Sequence, residues 1–118
     1  MHEDHSILLF ESDQAVLSSL QFALTLQGFM AEDGSTSGLS AAASCLVIDQ
    51  RYRADGLAFL AQLRAEGIKA PAVLLATNPT PRLQRRAAAF DVAIIEKPLL
   101  GDELPVALHA LLTSSKAA

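Results

Sequence analysis

Acidic residues directly follow two short apolar runs of this sequence, and a lysine follows a third. Carboxylates can hold Mg²⁺, which neutralises phosphate oxygens, and a carboxylate can also act as a nucleophile that forms an acyl phosphate. A lysine and a hydroxyl can bind the oxygens of a phosphoryl group. If the fold brings these side chains to one place, they suit phosphoryl chemistry. The candidate residues are Glu11, Ser12, Asp13, Asp49, Thr77 and Lys97.

Each candidate also has an interpretation that involves no chemistry. Glu11 and Asp13 could cap a helix, and Asp49 could serve as a turn or capping residue. Lys97 could pair with a neighbouring acid, and the Thr77 hydroxyl could bond local backbone. Accident explains any one of these residues more easily than it explains all of them together, which favours a shared site.

The apolar runs lack the alternation of a half-exposed strand. Such runs are typical of strands buried on both faces, as in a parallel sheet. One run, over 29–31, is weaker than the others because it is short. Strands are therefore predicted over 7–10, 29–31, 45–49, 71–76 and 92–95.

Stretches with helical spacing or capping signals separate most of these strands. Apolar residues recur at helical spacing from Val16 to Leu24, and Gly28 then ends that helix. The stretch over 32–40 is rich in Gly, Ser and Thr, so we expect a loop there, with at most a short helix over 39–43. Further helices are predicted from Gly56 to near Gly67, from Arg82 to Phe90, and from Gly101-Asp102 onward with Asp102 as the cap.

Strands that alternate with helices indicate an α/β domain, in which helices cover both faces of a parallel sheet. The expected architecture is a flavodoxin-like three-layer (βα)5 sandwich with strand order 2-1-3-4-5 and a shortened second helix region. In that order the first and third strands are neighbours, so Glu11 and Asp49 face one crevice at the carboxyl edge of the sheet. Lys97 ends the fifth strand, across the fourth.

The composition bounds the size and the partners of the protein. With 118 residues, of which 51% are hydrophobic, we expect a single domain over 1–118 with a core over about 6–112 and no effector domain. A net charge of −4 without a basic tract argues against nucleic acid as a partner. Cys45 is the only cysteine, so no disulfide framework exists.

The N-terminus and the apolar runs argue against export and membrane insertion. Glu3 and Asp4 precede the first apolar run, which is unlike a signal peptide. The apolar runs are a few residues long, far short of a membrane span. The expected compartment is the cytoplasm, with no membrane contact.

With these pieces in order, the chain resembles the receiver domain of two-component response regulators (CheY-like), as an atypical member. The resemblance covers about Ser6 to Leu112, and the Lys-Pro pair after the fifth strand is its most specific sign. The matching pieces are Glu11-Ser12-Asp13, Asp49 with Asp55-Gly56-Leu57 after it, Pro71 before the fourth strand, and Glu96-Lys97-Pro98.

The resemblance implies a role in phosphorelay signalling. Asp49 would accept a phosphoryl group from a histidine kinase or phosphotransferase, and Lys97 would contact that group. Such a domain is not an enzyme, although it catalyses its own phosphorylation and dephosphorylation. The implied Mg²⁺ ligands are Glu11, Asp49, the Arg51 backbone carbonyl, and Ser12 or Asp13.

The resemblance also implies that the output is protein binding. A partner protein, or a second copy in a homodimer, would bind the family's fourth helix, fifth strand and fifth helix. Three arginines cluster on the helix before the fifth strand of this otherwise acidic chain, although a solvated helix face explains them equally well. The residues expected on this surface are Arg82, Arg85, Arg86 and Ile94.

Several positions depart from the family's pattern. Ser12 stands where the second acid is usual, which predicts weak Mg²⁺ binding. Counted from Pro71, the strand-four hydroxyl falls on Ala76, with Thr77 adjacent, and the aromatic switch position is Ile94. The loop from Asp49 to Gly56 is about one residue short. It carries Arg51 and Arg53, and we hypothesise that one of them supplies positive charge to a phosphoryl group, although both could equally point into solvent.

Two other functions fit parts of this sequence. A pseudo-receiver would signal without phosphate, through the same partner surface. A small flavodoxin-like enzyme or cofactor binder is disfavoured, because no Gly-rich phosphate loop follows the first strand and Glu11 and Asp13 would repel a phosphate there.

Overall fold

The computed structural model describes residues 6–36, 43–99 and 101–117. Its sheet has five parallel strands in the order β2-β1-β3-β4-β5, so the predicted α/β fold and strand order are confirmed. The strands are β1 (Ser6–Phe10), β2 (Met30–Asp33), β3 (Cys45–Asp49), β4 (Ala72–Thr77) and β5 (Ala93–Lys97). The helices are α1 (Gln14–Leu26), α2 (Gly56–Ala65), α3 (Pro81–Ala89) and α4 (Glu103–Ala117), with a short 3-10 turn over Tyr52–Ala54.

Apolar side chains project from both faces of the sheet, so the strand sequences are apolar without alternation. On one face, Leu46 and Ile48 of β3 pack with Leu60 of α2. On the other face, Val47 packs with residues of α1 and α4, including Leu108. The sheet is therefore the middle of three layers, with α2 and α3 on one side and α1 and α4 on the other.

Polar caps start the helices close to the carboxyl edge of the sheet. The Asp13 Oδ1 accepts hydrogen bonds from the Ala15 and Val16 amides, at 2.9 and 3.2 Å, and so caps α1. Asp55 caps α2 in the same way. The helix predicted to end before Gly28 does end there, with Gly28 at a φ of +92°. None of the described helices is both long and apolar enough to cross a membrane.

Two strands extend beyond the predicted boundaries. β4 continues to Thr77 and β5 to Lys97, and these two residues are partners in the parallel register. The prediction ended both strands at their last apolar residue, whereas backbone pairing does not depend on an apolar side chain and continues into Thr77, Glu96 and Lys97. β2 also lies later than predicted, over Met30–Asp33, at the edge of the sheet. Most of the predicted loop or short helix over 39–43 lies outside the described residues.

The connection between β3 and α2 folds back tightly on the end of β3. Arg53 and Ala54 adopt left-handed backbone conformations, with φ of 52° and 71°. Gly56 lies so close to the strand that a Cβ atom there would be 2.3 Å from the Asp49 carbonyl oxygen. Only glycine fits this approach, because a backbone oxygen cannot rotate away as a side chain can.

Gly56→Ala is expected to destabilise the fold by about 2 kcal/mol, because the added methyl overpacks against backbone. Gly101→Ala is the matched control, since its Cβ would meet nothing closer than 3.8 Å. Urea unfolding of both variants measures the difference in the free energy of unfolding. Equal stabilities would contradict the close approach of Gly56 to Asp49.

Candidate functional site

A polar crevice of about 400 Å³ opens at the carboxyl edge of the sheet. It combines side chains from the β1–α1 junction, the end of β3 and the end of β5, which meet there because parallel strands end on the same side. The sequence predicted that these segments converge. The lining residues are Glu11, Ser12, Asp13, Val16, Asp49, Arg51 and Lys97.

Asp49 lies at the centre of this site and is only 3% exposed. Its Oδ1 accepts a hydrogen bond of 2.8 Å from the Arg51 amide. Its Oδ2 accepts one of 2.6 Å from the Lys97 ammonium. Hydrogen bonds therefore orient both carboxylate oxygens, and the Lys97 ammonium compensates the charge of this buried group.

Lys97 bridges the two buried acids. Its Nζ atom also lies 3.7 Å from the Glu11 Oε1, and its side chain is 24% exposed. Burial by itself lowers the pKa of Lys97, but the hydrogen bond and charge of Asp49, together with Glu11, raise that pKa above its ordinary value. The crevice therefore holds a permanent ammonium group.

Glu11 is 8% exposed and offers one oxygen that lacks a hydrogen bond. Its Oε2 accepts a hydrogen bond of 3.2 Å from the Asp13 amide, whereas no described residue donates a hydrogen bond to its buried Oε1. Burial raises the pKa of Glu11, and the negative charge of Asp49 adds to the increase. An acceptor buried without a donor is costly, so this oxygen, which already lies 3.7 Å from the Lys97 ammonium, is suited to a further cation.

The donor set fits a minimal Mg²⁺ site. Mg²⁺ usually takes one or two carboxylates and completes its shell with waters and phosphate oxygens. Glu11 and Asp49 supply the carboxylates, and the Arg51 carbonyl faces competition because it accepts a 3.1 Å hydrogen bond from the Ala54 amide. Ser12 offers a neutral hydroxyl, and Asp13 uses Oδ1 to cap α1. In the part of the chain that the structure describes, no three His, Cys, Asp or Glu residues form a metal-binding group.

Thr77 lies at the end of β4, next to the β5 residue that enters the crevice. Thr77 pairs with Lys97 in the sheet register but is exposed and is not one of the lining residues. Ala76 is buried beside it, and Ile94 packs against the cluster on the α2 and α3 side of the sheet. Thr77 is therefore the hydroxyl at the end of β4, whereas β5 offers no aromatic side chain because Ile94 stands at that position.

The two loop arginines have different surroundings. Arg51 is exposed and lines the crevice beside Asp49. The Arg53 guanidinium instead lies 5.0 Å from the centre of the Phe59 ring and 5.6 Å from that of Tyr52, at cation–π distance. Of the two, only Arg51 is close enough to the site to act on it.

Sequence reasoning missed the role of Gln50, which follows Asp49. Its side chain donates to the Asp55 Oδ1 at 2.9 Å and accepts from the Leu57 amide at 3.0 Å. Asp55 in turn binds the Arg86 guanidinium of α3, at 3.1 Å from Oδ2. The position of Gln50 directly after a strand-end acid could have indicated its role. No local sequence pattern indicates that Asp55 would pair with Arg86 of α3.

Solved receiver domains resemble this chain over nearly its whole length. The CheY-like receiver domain protein from Methanospirillum hungatei gives a TM-score of 0.83 at 17% identity, over 98% of each chain. The receiver domain of a Francisella response regulator gives 0.80 at 17% identity, over 95% of this chain and 99% of the other. A response regulator receiver protein from Sinorhizobium medicae gives 0.76 at 24% identity, over 95% and 97%.

Comparison of sequences alone finds no such likeness. No known family's sequence profile matches this chain, and no curated protein sequence matches it at a significant level. A structural likeness at such low identity establishes a shared fold, while function depends on the site. The chain has the fold of a CheY-like receiver domain, as its sequence motifs predicted.

Lys97→Met is expected to destabilise the protein by about 3 kcal/mol at about pH 8 and by much less at about pH 5. Without the ammonium, the pKa of Glu11 in the folded state rises further above its ordinary 4.5. When the pKa of a carboxyl group is higher in the folded state than in the unfolded state, the folded protein loses stability as the pH rises through that folded-state pKa. Urea unfolding at both pH values measures this dependence.

Lys69→Met is the control for this experiment, because Lys69 is exposed and lies outside the crevice. It should change the stability little at either pH. A Lys97→Met loss that is the same at both pH values would contradict the compensation of buried carboxylates by Lys97.

Proposed function

We propose that this chain is a response-regulator receiver that accepts a phosphoryl group on Asp49, from a histidine kinase or phosphotransferase, and acts through protein binding. The observation that carries the proposal is the convergence of Asp49, Lys97 and Glu11 in one crevice of a receiver fold. Burying a carboxylate costs stability. A cluster of buried carboxylates oriented by an ammonium in a crevice therefore favours a chemical role over a structural one.

The transfer requires a single displacement at phosphorus. A carboxylate oxygen of Asp49 attacks the phosphorus of a phosphohistidine, the new O–P bond forms, and the N–P bond breaks with its electron pair left on the imidazole. Lys97 can then donate to an oxygen of the transferred group, since its Nζ already lies 2.6 Å from the Asp49 Oδ2. The Arg51 amide continues to orient Oδ1.

Mg²⁺ is proposed as a weakly held cofactor. Glu11 and Asp49 would hold the ion, together with the Arg51 carbonyl, and a bound Mg²⁺ would neutralise the phosphoryl oxygens. Ser12 contributes no charge, so the site has one formal negative charge fewer than it would have with an acid there. A weakly held Mg²⁺ leaves the phosphoryl oxygens short of positive charge. Arg51 is proposed to supply part of that charge, because a guanidinium can form two hydrogen bonds to phosphate oxygens.

A pseudo-receiver is the second candidate function. Both oxygens of Asp49 already have donors, and Lys97 neutralises its charge without any phosphate. The side chains at Ala76 and Ile94 could not form the usual hydroxyl–aromatic switch. The chain would then present one fixed signalling state to its partner.

The proposed partner surface comprises α3, β5 and α4. Arg82 and Arg85 are exposed on α3 and suit an acidic partner, whereas Arg86 is bound to Asp55. Ile94 is half-buried, so it contributes only part of its side chain to this surface. The occupant is a kinase, a phosphotransferase, another target protein or a second copy of this chain.

Acetyl phosphate with Mg²⁺ is expected to add one phosphoryl group to the unaltered protein and none to Asp49→Asn. Arg51→Ala should accept it several-fold more slowly, because the crevice loses a cation. Arg53→Ala is the matched control and should react at the normal rate, since Arg53 stacks on Phe59. Intact-mass spectrometry over time measures the modified fraction. A complete absence of label, with partner binding retained in Asp49→Asn, would instead favour the pseudo-receiver.

Mg²⁺ titration followed by amide chemical shifts near Asp49 is expected to reach half-saturation above ordinary millimolar levels. Ser12→Asp should bind about tenfold more tightly, because it adds a carboxylate to the ligand set. Ser12→Asn provides an oxygen of similar reach without the charge and should change the affinity little. Tight binding by the unaltered protein would refute the weak site.

A further inference from the structure

An ion pair between Asp55 and Arg86 joins the loop after Asp49 to α3. The Arg86 Nη2 atom lies 3.1 Å from the Asp55 Oδ2 and 3.3 Å from its Oδ1. The partners are 31 positions apart in the chain, and each side chain is 38% exposed. The contact is therefore a tertiary one between two elements on the same face of the sheet.

Gln50 connects this ion pair to the residue that is proposed to accept the phosphoryl group. Its backbone amide donates to the Leu75 carbonyl at 2.8 Å, and its own carbonyl accepts from the Gly56 amide at 2.8 Å. Its side-chain Nε2 donates to the same Asp55 Oδ1 that Arg86 contacts. A displacement of Gln50 would consequently alter the hydrogen bonds of Asp55.

Asp55 is a charged anchor in this chain of contacts. Burial by itself raises the pKa of Asp55, but hydrogen bonds from the Ala58 amide, Gln50 and Arg86 outweigh burial and lower that pKa. Asp55 also caps α2 through the Ala58 amide, at 3.1 Å. Asp55 is therefore fixed by its hydrogen bond to the first turn of α2, and its carboxylate also binds Arg86.

The helix that carries Arg86 has few other attachments. Among the nine residues of α3, Ala87 is the one that is buried, and Leu83 is half-buried against the same cluster. A buried alanine contributes little apolar area compared with the leucines that hold α2. The Arg86 contact adds to this limited packing of α3, by about 0.2–1 kcal/mol for a partly exposed ion pair.

We infer that Arg86 is a positioning residue, which couples the placement of α3 to the conformation of the loop between Asp49 and Gly56. The left-handed residues Arg53 and Ala54 hold that loop in a strained conformation between the two anchors Gln50 and Asp55. This polar route replaces a hydroxyl–aromatic route, which Ala76 and Ile94 cannot provide. The inference rests on the proposed function for its purpose, since α3 also presents Arg82 and Arg85 to a partner.

The first test measures the attachment of α3 in the protein alone. Arg86→Gln is expected to speed hydrogen exchange of the α3 amides roughly two- to fivefold, as the loss of a partly exposed ion pair predicts. Arg85→Gln removes the same charge from the same turn without breaking a described contact, and it should leave the exchange rates unchanged. Asp55→Asn keeps a capping oxygen, and its combination with Arg86→Gln should exchange no faster than Arg86→Gln alone.

The second test measures the coupling without any phosphorylation. Asp49→Asn, which removes the acceptor charge, is expected to shift the amide resonances of α3 in the unaltered and Arg85→Gln backgrounds. In the Arg86→Gln background those shifts should fall to less than about half. Equal shifts in all three backgrounds, no shift in any of them, or unchanged exchange in Arg86→Gln would overturn the inference. Phosphoryl transfer to Asp49 is measured separately, so failure of the proposed function remains distinguishable from failure of this coupling.

Discussion

The ion pair between Lys97 and Asp49 is the interaction on which the site depends. Two carboxylates are buried at the edge of an apolar sheet, and an unpaired buried charge costs several kcal/mol. Lys97 offsets this cost because β5 extends far enough to bring its ammonium within 2.6 Å of Asp49 and 3.7 Å of Glu11. The charged side chains therefore remain together in one polar crevice, and the apolar faces of the sheet continue beneath it.

The loop after Asp49 determines which side chains surround this acid. It brings the backbone of Gly56 close to the Asp49 carbonyl, and it allows the Gln50 side chain to donate a hydrogen bond to Asp55. Arg51 lies beside Asp49, whereas Arg53 stacks on two aromatic rings. A chain of polar contacts leads from Asp49 through its neighbour Gln50 and through Asp55 to Arg86.

Local sequence patterns predicted the fold, because each buried strand is an unbroken apolar run and each helix has its own cap or stop. Strand ends were less predictable, since the backbone pairing of Thr77 with Lys97 continues past the last apolar residue. The convergence of Glu11, Asp49 and Lys97 followed from strand order. The pairing of Asp55 with Arg86 depends on side-chain geometry between distant segments, which no local pattern encodes.

The chemical identity of the modified residue tests the central claim most directly. Borohydride reduces an acyl phosphate of aspartate to homoserine, so the protein is exposed to a phosphohistidine donor, reduced and mapped by peptide mass spectrometry. The structure predicts homoserine at position 49 alone, because among the described residues Asp49 is the acid that Lys97 and the Arg51 amide orient in the crevice. Homoserine at another acid, or an unmodified Asp49 under conditions that label a known receiver, would contradict the assignment of Asp49 as the acceptor.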